Sequence, residues 1–150
     1  MISKGDLDGK VLNTWAIGRT SGAITITNGA FKSIGLSGSI SVTSGNKLFI
    51  SAQCGFYAAG TSHWSYDAFL NGTLLANSNW GDGINSGSYA VSGWQMDSHL
   101  YQHTLTSTGT YTIELKARCN VGSMQFGRDG TMGNGWGYDN AKMIIWEVAP

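Results

Sequence analysis

The residues able to hold a metal or move a proton are three histidines, two cysteines and a few loop carboxylates. His99 and His103 stand four apart. On a helix that spacing would aim both imidazoles at one ion. In an extended chain, at ~3.3 Å per residue, they lie ~13 Å apart and cannot share one. Their segment, HLYQHTLTS, reads as a strand, and neither HExxH nor CxxC accompanies it. They are therefore read as solvated or hydrogen-bonded histidines. Cys54 and Cys119 both fall on the apolar phase of their strands. Buried free thiols are the plain reading. A disulfide between two layers stays open, because it needs Cα atoms within ~7 Å.

Asp82, Asp129 and Asp139 sit in glycine-rich loops beside Asn85, Asn134 and Asn140. Oxygen-rich loops can hold calcium, but EF-hand spacing is missing, and Asp-Gly and Asn-Gly are ordinary turn chemistry. The run GNGWG (133–137) opens no helix and lacks the GK[ST] ending of a phosphate loop. No Ser-His-Asp order and no carboxylate pair in a definable cleft is found. The expectation is no catalytic residue, no metal and no cofactor.

The aromatic residues offer a different chemistry. Trp80 and Trp136 each stand next to glycine in a loop, near Asp82 and Tyr138 respectively. An exposed indole beside Asn or Asp groups suits a sugar ring, whose apolar face packs on the aromatic plane. Trp80, Asp82, Trp136 and Tyr138 are thus the candidate ligand-facing residues. In the plainer alternative the same rings cover the ends of the fold or meet a neighbouring subunit.

These groups need elements to position them, and the chain supplies strands. One domain is the default at 150 residues. Roughly 70% of the unfolded chain's surface can be buried at that size. Charged residues are 12% and the formal net charge is zero, which argues against a nucleic-acid partner. Twenty-two glycines against one proline fit turn-rich β structure. The opening MISKGDLDGK lacks the apolar core of a signal peptide, so the chain is expected either to stay in the cytoplasm or to leave it by lysis or a non-classical route. No apolar run is long enough for a membrane span, so no membrane insertion is expected.

Residues 1–10 read as an arm that orders only on docking, and 11–150 as a single β domain. Strand patterns occupy VLNTWAI (11–17), GAITIT (22–27), SISVTS (39–44) and KLFISAQCGFYA (47–58). HWSYDAFLNGTLLAN (63–77) reads as a hairpin, with Asn71-Gly72 as its type I′ turn. Two separate strands are expected in SYAVSGWQMD (88–97) and HLYQHTLTS (99–107). YTIELKARC (111–119) alternates, with Ile113 and Leu115 inward and Thr112, Glu114, Lys116 and Arg118 toward solvent. SMQFGR (123–128) reads as a further short strand. No segment has helical periodicity. Strand runs at this spacing predict an all-β antiparallel sandwich.

The final run, AKMIIWEVAP (141–150), is apolar on both faces. That suits a central strand whose second face is covered by another layer or a neighbouring subunit. Ile144, Trp146 and Val148, together with Trp15, are the expected interface residues.

The Ser/Thr/Gly-rich chain of short strands, its central SGNKLFISAQCGF strand and its closing MIIWEVA strand together resemble the small jelly-roll virion proteins of tailed bacteriophages, cyanophages among them. The resemblance covers residues 11–150. It implies a jelly-roll-like β-sandwich, no catalysis and a homotrimer. It also implies a place in the virion, either as a capsid decoration (cement) protein on the major capsid protein or as a tail-fibre head domain binding a host glycan. The decoration role is the favoured expectation, because Met1 stands almost directly before the β domain, without a fibre shaft.

Overall fold

The computed structural model describes residues 11–20, 22–27, 29–75, 86–89, 93–126 and 141–150, with the backbone alone at 62, 86–89, 94, 95 and 97. The strands are β1 (Val11–Gly18), β2 (Ile24–Ile26), β3 (Lys32–Val42), β4 (Lys47–Leu70), β5 (Thr73–Leu74), β6 (Ser86–Tyr89), β7 (Gly93–Thr104), β8 (Gly109–Phe126) and β9 (Lys142–Val148). Every pairing among them is antiparallel. The described residues contain no helix, and so none that could cross a membrane. The molecule is an all-β, jelly-roll-like antiparallel sandwich.

Strand β4 belongs to both layers. Its first half alternates strictly: Leu48, Ile50, Ala52, Cys54, Phe56 and Ala58 are all 0% exposed. In this half β4 pairs with β7 on one side and β9 on the other, and β1 closes the layer beyond β9. At Ala59–His63 the register against β8 shifts, and Gly60 takes φ +72°. The inward face resumes as Trp64, Tyr66, Ala68 and Leu70, now in the second layer with β8 and β3. Strand β8 turns the same corner, with Gly122 at φ +74°. Two opposed strands thus each use a left-handed glycine, a conformation that costs side-chain-bearing residues energy. Phe56, before the corner, meets Trp64, after it, edge to face at 4.7 Å.

The layers close on each other at their far edges as well. A Cβ placed on Gly38 of β3 would lie 2.5 Å from Ile17 Cδ1 of β1. Ile17 therefore fills the space that a side chain at position 38 would need.

Several strands run longer than the sequence pattern predicts. Residues 47–58 and 63–70 form one strand, as do 111–119 and 123–126. The small residues Ala58 to Ser62 interrupt the alternation, yet the ladder passes through them as a bend. Residues 93–104 are also one strand, where two were expected on either side of Ser98. The Asn71-Gly72 hairpin forms as expected. Asn71 has φ +48° and Gly72 φ +79°, both positive as a type I′ turn requires. Its second arm is only Thr73–Leu74.

Candidate functional site

Strand β9 lies between β1 and β4, and its alternation sorts the expected interface residues. Met143 and Ile145 are fully buried in the core. Ile144 and Trp146 point the other way and are half-buried on the outer face of the first layer. Cross-strand pairing builds rows on that face. One row runs Leu100, Ser51, Ile144, Ala16, and the next runs Gln102, Phe49, Trp146, Thr14. Phe49 is 5% exposed, whereas Leu100 is 41% exposed and Met96, on the same face of β7, is 53% exposed. Among the described residues lysines stand only at the ends of the face, with Lys142 opposite Gln53 and Lys47 opposite Val148. Val148 shares the outward phase but is buried.

Trp15 does not join this surface. It pairs with Ile145, an inward residue, and its half-buried ring packs against the core. The four expected interface residues are therefore divided between the two faces of one layer. Sequence spacing gave no register between β1 and β9, and hence no phase for Trp15. The structure adds Phe49, Leu100 and Met96 to the apolar face. Phe49 was recognisable only as lying on the opposite phase from Leu48 and Ile50.

One end of the sandwich holds a buried carboxylate that the sequence reading passed over. Glu147 is 1% exposed. Its Oε2 accepts from Asn13 Nδ2 at 2.7 Å, and its Oε1 accepts from Asn46 Nδ2 and Thr43 N, each at 2.7 Å. Burial pushes its pKa up, but the bonds from Asn46, Asn13 and Thr43 outweigh burial and hold the carboxyl below its usual value. The cluster ties β1, the β3–β4 turn and β9 together. Its sequence signal was an acid inside the apolar run IIWEVA.

On the outer face of the second layer Thr112 is exposed as expected, whereas Glu114, Lys116 and Arg118 are half-covered. The Arg118 guanidinium lies 4.6 Å from the Phe31 ring centroid, and Lys116 Nζ lies 4.9 Å from that of Phe69. Beneath them Asp67 is fully buried and accepts from Ser65 Oγ at 3.3 Å. Burial lowers the Arg118 pKa, and the charge of Asp67 opposes that shift.

Cys54 and Cys119 are both buried and form no disulfide, and Cys119 Sγ donates to Val121 O at 3.0 Å. His99 and His103 lie along β7, and no group of three metal-ligating residues comes together among the described residues. The ligand-facing candidates Trp80, Asp82, Trp136 and Tyr138, the other loop carboxylates and the arm 1–10 lie outside the described residues.

No protein-family model and no curated protein matches the chain. Among solved structures it is similar to infectious bursal disease virus, Gx strain, at 8% identity and TM-score 0.47 over 92% of this chain and 37% of that one. It is similar to the Podospora anserina GH26-CBM35 β-(1,4)-mannanase at 14% identity and TM-score 0.39, over 91% of this chain and 28% of that one. The C-terminal CBM6 of LamC, a laminarinase from Zobellia galactanivorans, aligns at 19% identity and TM-score 0.36, over 89% of this chain and 99% of that one. The chain thus spans about a third of the first two proteins. At these scores the likenesses say nothing of what the chain does.

Proposed function

We propose that this chain is a non-enzymatic virion protein, a capsid decoration (cement) protein held on the particle surface as a homotrimer. The observation that carries the reading is the apolar outer face of the first layer. Ile144, Trp146, Leu100 and Met96 form one surface around the buried Phe49, on β9, β4 and β7, and among the described residues its lysines stand at its ends. A lone β-sandwich does better with a polar outer face. Contiguous exposed apolar area marks contact surfaces. The face therefore serves self-association or seating on the major capsid protein, and the arm 1–10 adds a second attachment. The resemblance of the strand texture to small phage jelly-roll proteins supports the same role. The alternative is a tail-fibre or appendage head domain that binds a host glycan through Trp80, Asp82, Trp136 and Tyr138.

Light scattering on the purified protein tests the assembly, with an expected mass three times the 16.0 kDa of one chain. A stable monomer at micromolar concentration would sink the trimer. Electron microscopy of particles labelled for this protein tests the location. Label on the head supports decoration, and label on tail appendages supports the receptor-binding alternative.

A further inference from the structure

At the same end of the sandwich as Glu147, between the two layers, lies a cleft of about 370 Å³. Its walls are Leu70, Asn71, Thr73, Leu74, Leu75, His103 and Tyr111. We infer that this cleft is a binding site for a single uncharged pyranoside ring. The volume falls within the range of small-molecule sites, which pair an apolar lining with a few placed polar groups. Three leucines and the Tyr111 ring supply the apolar wall. Among the described residues the lining holds no lysine, arginine, aspartate or glutamate, so a charged ligand would find no counter-charge in these walls. A fatty ligand would leave the polar rim without partners. A pyranoside satisfies both, with its C–H face against the rings and leucines and its hydroxyls at the rim.

The cleft is preformed. The Tyr111 hydroxyl donates to Ser107 O at 3.1 Å and also bonds Ser107 Oγ, which fixes the ring. Asn71 and Thr112 are tied twice: Asn71 N donates to Thr112 O at 2.8 Å, and Thr112 N donates to Asn71 Oδ1 at 2.8 Å. The second bond sets the amide orientation and leaves Nδ2 as its free donor. Leu75 N donates to Ala68 O at 2.9 Å and holds the segment after β5 in place. The His103 ring nitrogens are engaged by no described residue, so they and the Thr73 hydroxyl complete the rim. His103 points inward from β7, opposite Leu48, whereas Leu100 points outward, opposite Ser51. The cleft therefore stays open when the apolar face is covered. The assignment is independent of the assembly reading and of the loops carrying Trp80 and Trp136.

The test is a methyl-resolved NMR titration of the whole chain. The probes are methyl α-D-mannopyranoside, methyl β-D-glucopyranoside, methyl β-D-galactopyranoside and N-acetylglucosamine, each to about 20 mM, against a Kd of ~1–10 mM. Mannitol, an acyclic polyol, is the control. At least one pyranoside is expected to shift the Leu74 and Leu75 methyls and the His103 ring saturably, with mannitol inert. His103→Ala and Thr73→Ala, both at exposed or half-exposed positions, are expected to weaken that binding about fivefold or more while leaving the fingerprint spectrum folded. The assignment is overturned by no saturable shift with any of the four sugars. It is equally overturned by equal shifts with mannitol, by shifts confined to other surfaces, or by folded variants that bind as the parent does.

Discussion

At Glu147 three donors, from Asn13, Thr43 and Asn46, converge on one buried carboxylate. The sign of its pH effect follows from the lowered pKa. A group with a depressed folded pKa stabilises fully above its unfolded value, and that stability is lost as pH falls through the folded one. The native protein is therefore expected to lose stability as pH drops through about 4.5, where an unfolded glutamate is half protonated, and on toward the lower folded pKa. Glu147→Gln keeps the shape but removes the charge. Its stability is expected to be lower at pH 7 and to change less across the acid window, as followed by urea denaturation at several pH values. Parallel curves for the two proteins would show that another group sets the acid limit. Leu115, fully buried on β8, carries the ordinary packing case. Leu115→Ala is expected to cost about 2–5 kcal/mol, and a loss under about half a kcal/mol would mean that the site collapses around the smaller side chain.

Among the elements, the contact between β1 and β3 makes the sharpest test of how the layers meet. An alanine Cβ at position 38 would approach Ile17 Cδ1 at 2.5 Å and Cγ1 at 3.0 Å, too close for either to stay in place. Gly38→Ala is expected to destabilise by about 1–3 kcal/mol, the usual cost of overpacking. Ile17→Ala removes the clashing atoms, so most of that cost should vanish in the double variant. Simple additivity, measured by chemical denaturation of all four proteins, would mean that the layers do not meet there. Strand phase was readable in advance wherever apolar and polar residues alternate. Leu48 to Phe56, Ile40 with Val42, and Ile113 to Cys119 all face the core as their pattern predicts. The corner was not readable, because Ala58, Ala59, Gly60, Thr61 and Ser62 carry no alternation and look like a loop. A bend that keeps its ladder differs from a turn only through the partner strand, which local sequence does not contain. The site suffered the same limit. Ile144 and Trp146 could be assigned to one face from β9 alone. The neighbours that make that face a surface, Phe49 and Leu100, come from register across two other strand pairs. The end cleft joins β4, β5, β7 and β8, and no motif marks it.

For the molecule as a whole, the balance of forces at the apolar face decides how copies or partners hold together. Nine cations and nine anions cancel over the chain, so no large net field steers one molecule toward another. On the face itself the described charges are Lys47 and Lys142, at its two ends. If charge governed association between copies, these lysines would repel, and added salt would strengthen binding by screening them. If burial of Ile144, Trp146, Leu100 and Met96 governs it, screening matters little. At about 0.5 M salt surface charges are felt only within ~4–5 Å. The self-association constant is therefore expected to vary less than about threefold between about 0.05 and 0.5 M sodium chloride, where a threefold change is ~0.65 kcal/mol. Leu100→Asp provides the complementary perturbation. Leu100 is 41% exposed, so the change should alter the stability of the single chain by no more than about half a kcal/mol. Within a contact, however, it would bury a carboxylate that has no partner. Association is then expected to weaken at least about tenfold, or ~1.4 kcal/mol, in sedimentation velocity runs on the folded variant. Unchanged association in Leu100→Asp would move the contact away from β7. A steep dependence on salt would mean that charge, acting from outside this face, holds the assembly.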